Sequence, residues 1–372
     1  MLTRRRFLQS LAAASATLAR VRPAAAQETA TFGVSVPLSG SMAEFGRTWR
    51  KAQTLAVEEI NAAGGIKGRK VELIYEDSQG DPKQTVAIAQ KFVDDARVLG
   101  VLGDIPTPAI MAASPVFQKA RMVQMSMGSH PDLTKAGEFI FANQMSQRQI
   151  AASLATIGVS RLGKTQAVLY RNTDWGKVVQ SIYVEKLKEL GGQLVLTDSY
   201  LETEKDFRAL LAKVRAAKPD VLVLIAYYTD GALLVQQAKQ AGVESKIIVS
   251  EACYSPQFIK LAGDAVNGVL TQTLFFPDSG RPDVQKFVAG YRAKHGEDPD
   301  FFASIGYDGV KIIAWATERG GFTREGIQQA LVKGEGIPSV TFGPFKFNEI
   351  RRVGVGALAP IVVRDGKFTL LN

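Results

Sequence analysis

Short apolar segments alternate with amphipathic segments along the first 144 residues, and this alternation predicts an α/β unit. The apolar segments are predicted strands at 31–36, 71–75, 98–102 and 122–125. The amphipathic segments between them are predicted helices at 45–62, 82–95 and 108–119. Strands that alternate with helices of this length form parallel sheets with helices on both faces.

The same alternation restarts near residue 145 and predicts a second unit of similar design. Its predicted strands are 166–170, 194–198, 221–226 and 247–250. Its predicted helices are 150–157, 175–190, 206–217 and 231–241. The uninterrupted apolar run Val221–Ile225 suits a strand buried on both faces. No low-complexity linker separates the two doubly wound units, which favours a structured hinge.

The last part of the chain, from about residue 278, has a different pattern. It contains predicted helices at 283–294, 301–317 and 323–332. Short predicted strands follow at 345–347, 359–363 and 368–371. The pattern alone does not assign this part to either unit.

Residues 1–26 are predicted to be a removable export signal of the twin-arginine type. Arg4, Arg5 and Arg6 form a basic start, and the apolar stretch 8–19 is shorter than the roughly 20 residues that span a bilayer. The alanines at 24–26 suit cleavage after Ala26. The alternative, a first helix of the folded protein, is disfavoured because Pro23 and the alanines end the segment.

The charge balance changes once this signal is removed. The whole chain has 45 basic and 36 acidic residues, but five of the arginines and no acidic residue lie in 1–26. The remaining 40 basic residues are not clustered, so the composition does not favour a nucleic-acid partner. Cys253 is the single cysteine, which excludes an intrachain disulfide.

The motifs typical of enzymes are absent or misplaced in this sequence. Residues 158–165 match the phosphate-loop pattern GxxxxGK[ST], but a predicted helix precedes them and a predicted strand follows. A phosphate loop needs the opposite order, because the amino-terminal end of a helix must face the phosphates. The two histidines and the cysteine lie far apart in sequence, without the spacing of a metal site.

The residues after the predicted strands are more informative, because ligands of open α/β sheets bind beyond the carboxyl ends of the strands. In the first unit these residues are hydroxyl-bearing or small and suit a carboxylate: Thr107, Gly128 and Ser129, with Phe45 and His130 beside them. In the second unit they are aromatic or acidic and suit a cation with an apolar body: Trp175, Tyr227, Tyr228 and Glu251. Each could instead be a helix cap or a packing residue.

The chain resembles the periplasmic binding proteins of branched-chain amino acid ABC transporters, of the leucine/isoleucine/valine type. The resemblance is strongest at Asn61–Glu72, N-A-A-G-G-I-K-G-R-K-V-E, and extends to the stretches 37–40, 170–176 and 306–308. It implies two Rossmann-like lobes joined by three crossovers, with 27–144 and 278–354 in lobe I and 145–277 and 355–372 in lobe II. It also implies no catalysis and no cofactor, and a periplasmic monomer that delivers its ligand to permease and ATPase subunits.

The resemblance also implies roles for individual residues. Thr107, the backbone of Gly128 and the hydroxyl of Ser129 would hold the α-carboxylate of an amino acid, and Glu251 would pair with its ammonium. Phe45, Trp175 and either Tyr227 or Tyr228 would cover its side chain. His130 stands where the family has asparagine, and Ser129 where it has threonine, so the substrate could differ. The alternatives are an amide or aromatic acid as ligand, or a sensor that contacts a membrane receptor.

Overall fold

The computed structural model describes residues 29–354, 356 and 358–371, and its first sheet comes from the amino-terminal part of the chain. All of its strand pairs are parallel, and the strand order is β2-β1-β3-β4-β5. The strands are β1 (Ala30–Val36), β2 (Val71–Asp77), β3 (Val98–Leu102), β4 (Val123–Ser126) and β5 (Ile140–Ala142). The helices between them are α1 (Ala43–Ala62), α2 (Pro82–Asp94) and α3 (Thr107–Lys119). The four strands and three helices predicted here are confirmed, whereas the three-residue β5 was not predicted.

The second sheet has seven strands in the order β12-β11-β10-β9-β8-β6-β7. They are β6 (Thr165–Arg171), β7 (Gln193–Tyr200), β8 (Val221–Ile225), β9 (Lys246–Val249), β10 (Leu270–Thr273), β11 (Ala359–Arg364) and β12 (Lys367–Leu370). The pairs β10–β11 and β11–β12 are antiparallel, so the prediction of wholly parallel sheets was wrong at this edge. The hairpin forms because Asp365 and Gly366, with φ of 49° and 71°, make a two-residue turn.

The helices of the second sheet are α4 (Gln147–Ile157), α5 (Asp174–Glu189), α6 (Arg208–Ala217), α7 (Tyr228–Gln240) and the unpredicted α8 (Pro256–Ala262). The chain then returns to the first sheet as α9 (Pro282–His295), α10 (Phe301–Gly320) and α11 (Arg324–Lys333). Helix α10 packs along α1 and contacts β3 and β4. The chain therefore passes between the sheets three times, after β5, after β10 and before β11. We call the first sheet with α1–α3 and α9–α11 the first lobe, and the second sheet with α4–α8 the second lobe.

The strand predicted at 345–347 was wrong. Phe345 and Phe347 form only isolated bridges, to Ile337 and Val353. Their side chains pack on each other and on Phe141, with ring centroids 5.1 Å apart in both pairs. Aromatic packing, and not strand pairing, therefore accounts for the apolar character of this segment.

The turn after α1 explains why the segment 61–72 has its residue types. The Asn61 side chain donates to the Val71 carbonyl at 3.0 Å and accepts from the Val71 amide at 2.7 Å, which fastens the helix end to the start of β2. Gly64 and Gly65 have backbone φ angles of 101° and 75°, which residues other than glycine rarely adopt. A Cβ at Gly65 would also lie 2.1 Å from the Arg69 carbonyl oxygen.

The predicted export signal, residues 1–26, lies outside the described residues. In the part of the chain that the structure describes, no helix is long and apolar enough to cross a membrane.

Candidate functional site

A small cavity lies between the two lobes, at the carboxyl ends of their strands. Its volume is about 40 Å³. Since one water needs about 10–15 Å³ by this measure, the cavity has room for about three waters. It is lined by Ile105, Thr107, Met127, Ser129, Gln144, Trp175, Tyr227, Glu251, Ala252, Phe301 and Phe302.

Five of the nine residues predicted to bind the ligand line this cavity, namely Thr107, Ser129, Trp175, Tyr227 and Glu251. The two lobes contribute different chemistry to it. The first lobe contributes two hydroxyls, one of them on the first residue of α3, where helix amide groups favour an anion. The second lobe contributes one carboxylate and two aromatic rings.

Phe45 and Tyr228 lie behind the cavity wall and hold the lobes together. The Phe45 ring centroid is 4.9 Å from that of Tyr228 and 6.0 Å from that of Tyr227. The Tyr228 hydroxyl donates to the Ser41 carbonyl at 3.2 Å, across the gap between the lobes. Of the two tyrosines between which the sequence did not choose, Tyr227 lines the cavity and Tyr228 does not.

Gly128 and His130 do not line the cavity either. The Gly128 amide lies 3.4 Å from the Ser126 hydroxyl oxygen and donates to it, and the His130 Nδ1 accepts from the Asp132 amide at 3.1 Å. Burial lowers the pKa of His130, which opposes a positive charge on its ring. Both residues therefore belong to the loop that carries Ser129, and neither lines the cavity.

Arg352, which the sequence analysis missed, holds that loop in place. Its guanidinium donates to the Gly128 carbonyl at 2.6 Å, the His130 carbonyl at 2.7 Å and the Gln144 carbonyl at 3.2 Å. Arg352 is 1% exposed, and burial lowers its pKa to about 10. It lies in the last passage between the lobes, so its place beside the loop could not be seen in the linear sequence.

Glu251 is the charged group of the site. Its Oε1 accepts from the Gln147 side-chain amide at 2.8 Å, while its Oε2 is buried and has no partner among the described residues. Burial raises the pKa of the Glu251 carboxyl, and the Gln147 hydrogen bond opposes that rise. An unpartnered buried carboxylate oxygen is costly unless a donor or a cation meets it.

An aromatic and ionic network supports the second-lobe wall. The rings of Trp175 and Tyr227 stack with their centroids 4.7 Å apart. The side chain of Arg171 is buried, and its guanidinium lies 4.9 Å from the centroid of the Tyr227 ring. Arg171 is paired with Asp230 at 3.3 Å and with Glu202. Arg171, like the cavity residues Phe301 and Phe302, was not among the predicted site residues, although it directly follows a predicted strand.

The phosphate-loop pattern at 158–165 has the helix-to-strand order that was predicted. Helical residues precede Gly163, and β6 follows it. The amides of Lys164 and Thr165 donate to the Asp220 carboxylate at 3.1 and 2.9 Å. The Asp220 carboxylate thus accepts hydrogen bonds from backbone amides that a phosphate would need as donors.

A larger groove of about 730 Å³ lies away from the small cavity, beside Tyr254, Phe276 and Phe368. Within the described residues, none of its lining side chains leaves a buried polar atom without a partner. The small cavity is therefore the better candidate site, because its polar groups are arranged to meet a ligand.

Comparison with known proteins finds several solute-binding proteins that resemble this chain. The Leu/Ile/Val-binding protein homolog 2 of Brucella abortus is 28% identical over 347 residues, which are 90% of this chain and 91% of that protein. The structure of LivJ, the branched-chain amino acid transporter substrate-binding protein of Streptococcus pneumoniae in complex with isoleucine, superposes with a TM-score of 0.86 at 25% identity. That match covers 92% of this chain and 99% of LivJ.

A solute-binding protein of R. palustris in complex with benzoate has the same fold, with a TM-score of 0.84, 18% identity, and coverage of 92% of this chain and 95% of that one. The profile of the family described as periplasmic binding protein matches residues 29–367. Two lobes built on mainly parallel sheets, three passages between them and a cavity at the facing strand ends are what such a protein needs to enclose a solute. This chain belongs to the periplasmic binding protein family.

Proposed function

We propose that this protein is the extracytoplasmic solute-binding component of an ABC transporter and that its solute is an α-amino acid, branched-chain or similar. The observation that carries the proposal is Glu251. Its unpartnered Oε2 is buried beside the cavity, while Thr107 and Ser129 bring hydroxyl groups to the same cavity from the first lobe. A zwitterion satisfies both sides at once, with its carboxylate on the first lobe and its ammonium on Glu251.

The cavity walls are consistent with an aliphatic side chain. Ile105, Met127 and Phe302 come from the first lobe, and Trp175 and Tyr227 from the second. The Brucella abortus relative bears the name of a Leu/Ile/Val-binding protein, and the Streptococcus pneumoniae structure holds isoleucine. These likenesses support a branched-chain amino acid as the first solute to test.

An aromatic acid is the second candidate, because the R. palustris neighbour holds benzoate and this cavity has an aromatic wall. Glu251 argues against it. A bound benzoate would place a second carboxylate in a closed cavity with Glu251, and like charges that close disfavour ionisation of both. An amide avoids that repulsion and is a further alternative, but it leaves no cation for Glu251.

In the proposed mechanism, the solute enters when the lobes part, and the lobes then close on it. The contacts of Tyr228 with Ser41 and of Gln147 with Ser129 cross between the lobes, so the described conformation is closed. Closure removes water, which strengthens the charge-assisted hydrogen bonds to the ligand. No bond is made or broken in the solute, so the proposal includes no catalysis and no cofactor.

The lobe boundaries are part of the same proposal. Residues 27–144 and 278–354 would move as lobe I, and 145–277 and 355–372 as lobe II. The protein would act as a periplasmic monomer after removal of residues 1–26 and would deliver its solute to a transporter of permease and ATPase subunits. Amino-terminal sequencing of the native protein tests the export step, and a start at Met1 would contradict it. Permease and ATPase genes beside this one would favour transport over a sensor.

A thermal-shift screen tests the solute class. The protein from residue 27 onward is heated with each of the twenty amino acids, with benzoate and 4-hydroxybenzoate, and with small amides. A ligand at 100 times its dissociation constant stabilises the folded state by about 2.7 kcal/mol, which raises the melting temperature measurably. We expect branched-chain amino acids to give the largest rise. Stabilisation by aromatic acids alone would replace the amino acid with the second candidate.

A further inference from the structure

Gln147 links the ligand-binding groups of the two lobes through a single nitrogen atom. Its Nε2 donates to the Ser129 hydroxyl oxygen at 3.0 Å and to Glu251 Oε1 at 2.8 Å. Its backbone amide also donates to the Ser129 carbonyl at 2.8 Å. Gln147 is fully buried, yet it is not one of the residues that line the cavity. It can therefore act on a ligand only through Ser129 and Glu251.

The two hydrogen bonds determine how the amide is oriented. A side-chain amide nitrogen has two hydrogens, and both are used here. If the amide were reversed, its oxygen would face the Glu251 carboxylate oxygen, and two acceptors would oppose each other. The Gln147 Oε1 has no partner among the described residues, so it offers no competing reason for the orientation.

This orientation gives each neighbour a defined polarity. Ser129 already receives a hydrogen from Gln147, so its own hydroxyl hydrogen is available to an acceptor in the cavity. Glu251 has one oxygen held by Gln147 and the other without a partner. One amide thus makes the first-lobe side of the site a donor and the second-lobe side an acceptor.

We propose that Gln147 is a positioning residue that makes the closed site select α-amino acids over carboxylic acids of the same shape. The inference rests on the proposed function, because it assigns the ammonium to Glu251. A ligand that lacks the ammonium leaves the oriented Glu251 without a partner. A ligand that has an ammonium group meets the Glu251 carboxylate, which Gln147 has already positioned.

The test compares leucine with 4-methylpentanoate, which is leucine without its amino group. Titration calorimetry measures both dissociation constants for the wild-type protein and for Gln147→Met, which keeps the length of the side chain but has no N–H. Gln180→Met is the control, because Gln180 is a half-buried residue of the second lobe whose side-chain amide donates to Thr197 and does not line the cavity. Circular dichroism checks that each variant folds.

We expect Gln147→Met to weaken leucine binding at least ten-fold, since hydrogen bonds to charged groups are worth about 1.5–3 kcal/mol. Binding of 4-methylpentanoate should weaken less, because this ligand loses only the contribution through Ser129, so that the preference for the amino acid falls. The control should keep the wild-type preference. If Gln147→Met weakens the binding of both ligands by the same factor, Gln147 only supports the fold. Unchanged leucine affinity would also overturn the inference.

Gln147→Glu adds a readout that a merely structural role would not give. At about pH 8, the introduced carboxylate would repel Glu251 from its position and could not donate to Ser129, so leucine should bind poorly. As the pH falls, a proton held between the two carboxylates restores a donor, so leucine binding should strengthen. The wild-type protein should show the opposite trend. Parallel trends in the two proteins would contradict the inference.

A measurement without ligand keeps the inference separate from the proposed function. Carbon-13 NMR of glutamate-labelled protein follows the titration of Glu251, assigned by its loss in Glu251→Gln. Loss of the Gln147 hydrogen bond should raise the pKa of Glu251 in Gln147→Met. If wild-type protein binds no leucine while this pKa rises, the branched-chain proposal fails and the role of Gln147 stands. If the pKa of Glu251 is the same in Gln147→Met as in the wild type, Gln147 does not position Glu251, whichever ligand the protein binds.

Discussion

Trp175 and Tyr227 form a stacked pair, with ring centroids 4.7 Å apart and ring planes at 19°, and both rings line the cavity. Trp175 is the second residue of α5, and Tyr227 precedes α7, so two separate strand ends place them together. The Arg171 guanidinium lies 4.9 Å from the Tyr227 ring centroid. The pair is thus held from outside the cavity and offers a ligand a flat apolar wall.

Removal of the indole should weaken ligand binding without unfolding the protein. Trp175→Ala removes the larger half of this wall, and we expect leucine to bind about ten-fold more weakly, since full burial of a leucine side chain is worth about 1.5–3 kcal/mol and the indole supplies part of that burial. The leucine affinity of Trp175→Phe should lie between those of the wild type and Trp175→Ala. Calorimetry measures the change. Trp315→Phe is the matched control, because Trp315 contacts Arg319 far from the cavity. Unchanged leucine affinity in Trp175→Ala would place the ligand elsewhere.

The charge of Glu251 should decide whether an amino acid binds. Glu251→Gln keeps the size of the side chain and loses the charge. Because breaking a buried ion pair by removing one partner costs about 3–5 kcal/mol, we expect leucine binding to weaken at least 100-fold. Glu185→Gln removes an exposed carboxylate of the same lobe and should have no effect. If Glu251→Gln binds the native solute as tightly as the wild type does, that solute has no ammonium on Glu251.

Ligand affinity should depend on pH through the same carboxyl. Burial raises the pKa of Glu251 above its ordinary 4.5, and only the ionised form attracts an ammonium. Leucine affinity should therefore be highest at about pH 8 and should fall as the pH drops through the raised pKa, with proton release on binding in the range where Glu251 is protonated. Two titratable neighbours of Glu251, Tyr227 and Cys253, have pKa values raised by burial, so both stay neutral over this range.

The measurement is titration calorimetry from about pH 8 down to about pH 5, in two buffers of different ionisation enthalpy. Glu251→Gln should bind weakly at every pH and release no proton. A wild-type affinity that does not change with pH, in both buffers, would show that Glu251 does not titrate with the ligand.

A second buried carboxyl should make the stability of the fold depend on pH. Asp300 caps α10 by accepting from the Ala303 amide at 2.8 Å, and burial raises its pKa from 3.8 to about 7. The folded state therefore holds a proton that the unfolded chain has lost, and this contribution to stability disappears as the pH rises through about 7. Asparagine keeps the cap and cannot ionise.

Asp300→Asn should therefore gain stability relative to the wild type between about pH 5 and about pH 8, by on the order of 2–3 kcal/mol. Urea unfolding at both pH values measures this difference. The control is Asp81→Asn, which changes an exposed cap that accepts from the Gln84 amide at 2.8 Å. A constant difference between Asp300→Asn and the wild type would show that Asp300 is ionised in the folded protein at both pH values.

Much of the architecture can be predicted from the order of residues, because apolar periodicity and helix-ending residues act locally. Runs such as Val221–Ile225 are apolar throughout, and they are strands buried on both faces. Asp81 and Pro82 start a helix in the expected way. The short strands β5 and β10 and the helix α8 were missed, since three to seven residues carry too little periodicity.

The sequence by itself also determined which residues stand at the strand ends, and five of the nine predicted there line the cavity. Only the tertiary structure decided which of them face one another. Gln147, Arg352 and Phe302 join the site from a helix start, a late passage between lobes and a returning helix. Their roles depend on distances between segments up to 224 positions apart, and no local pattern encodes such distances because folding in three dimensions brings the segments together.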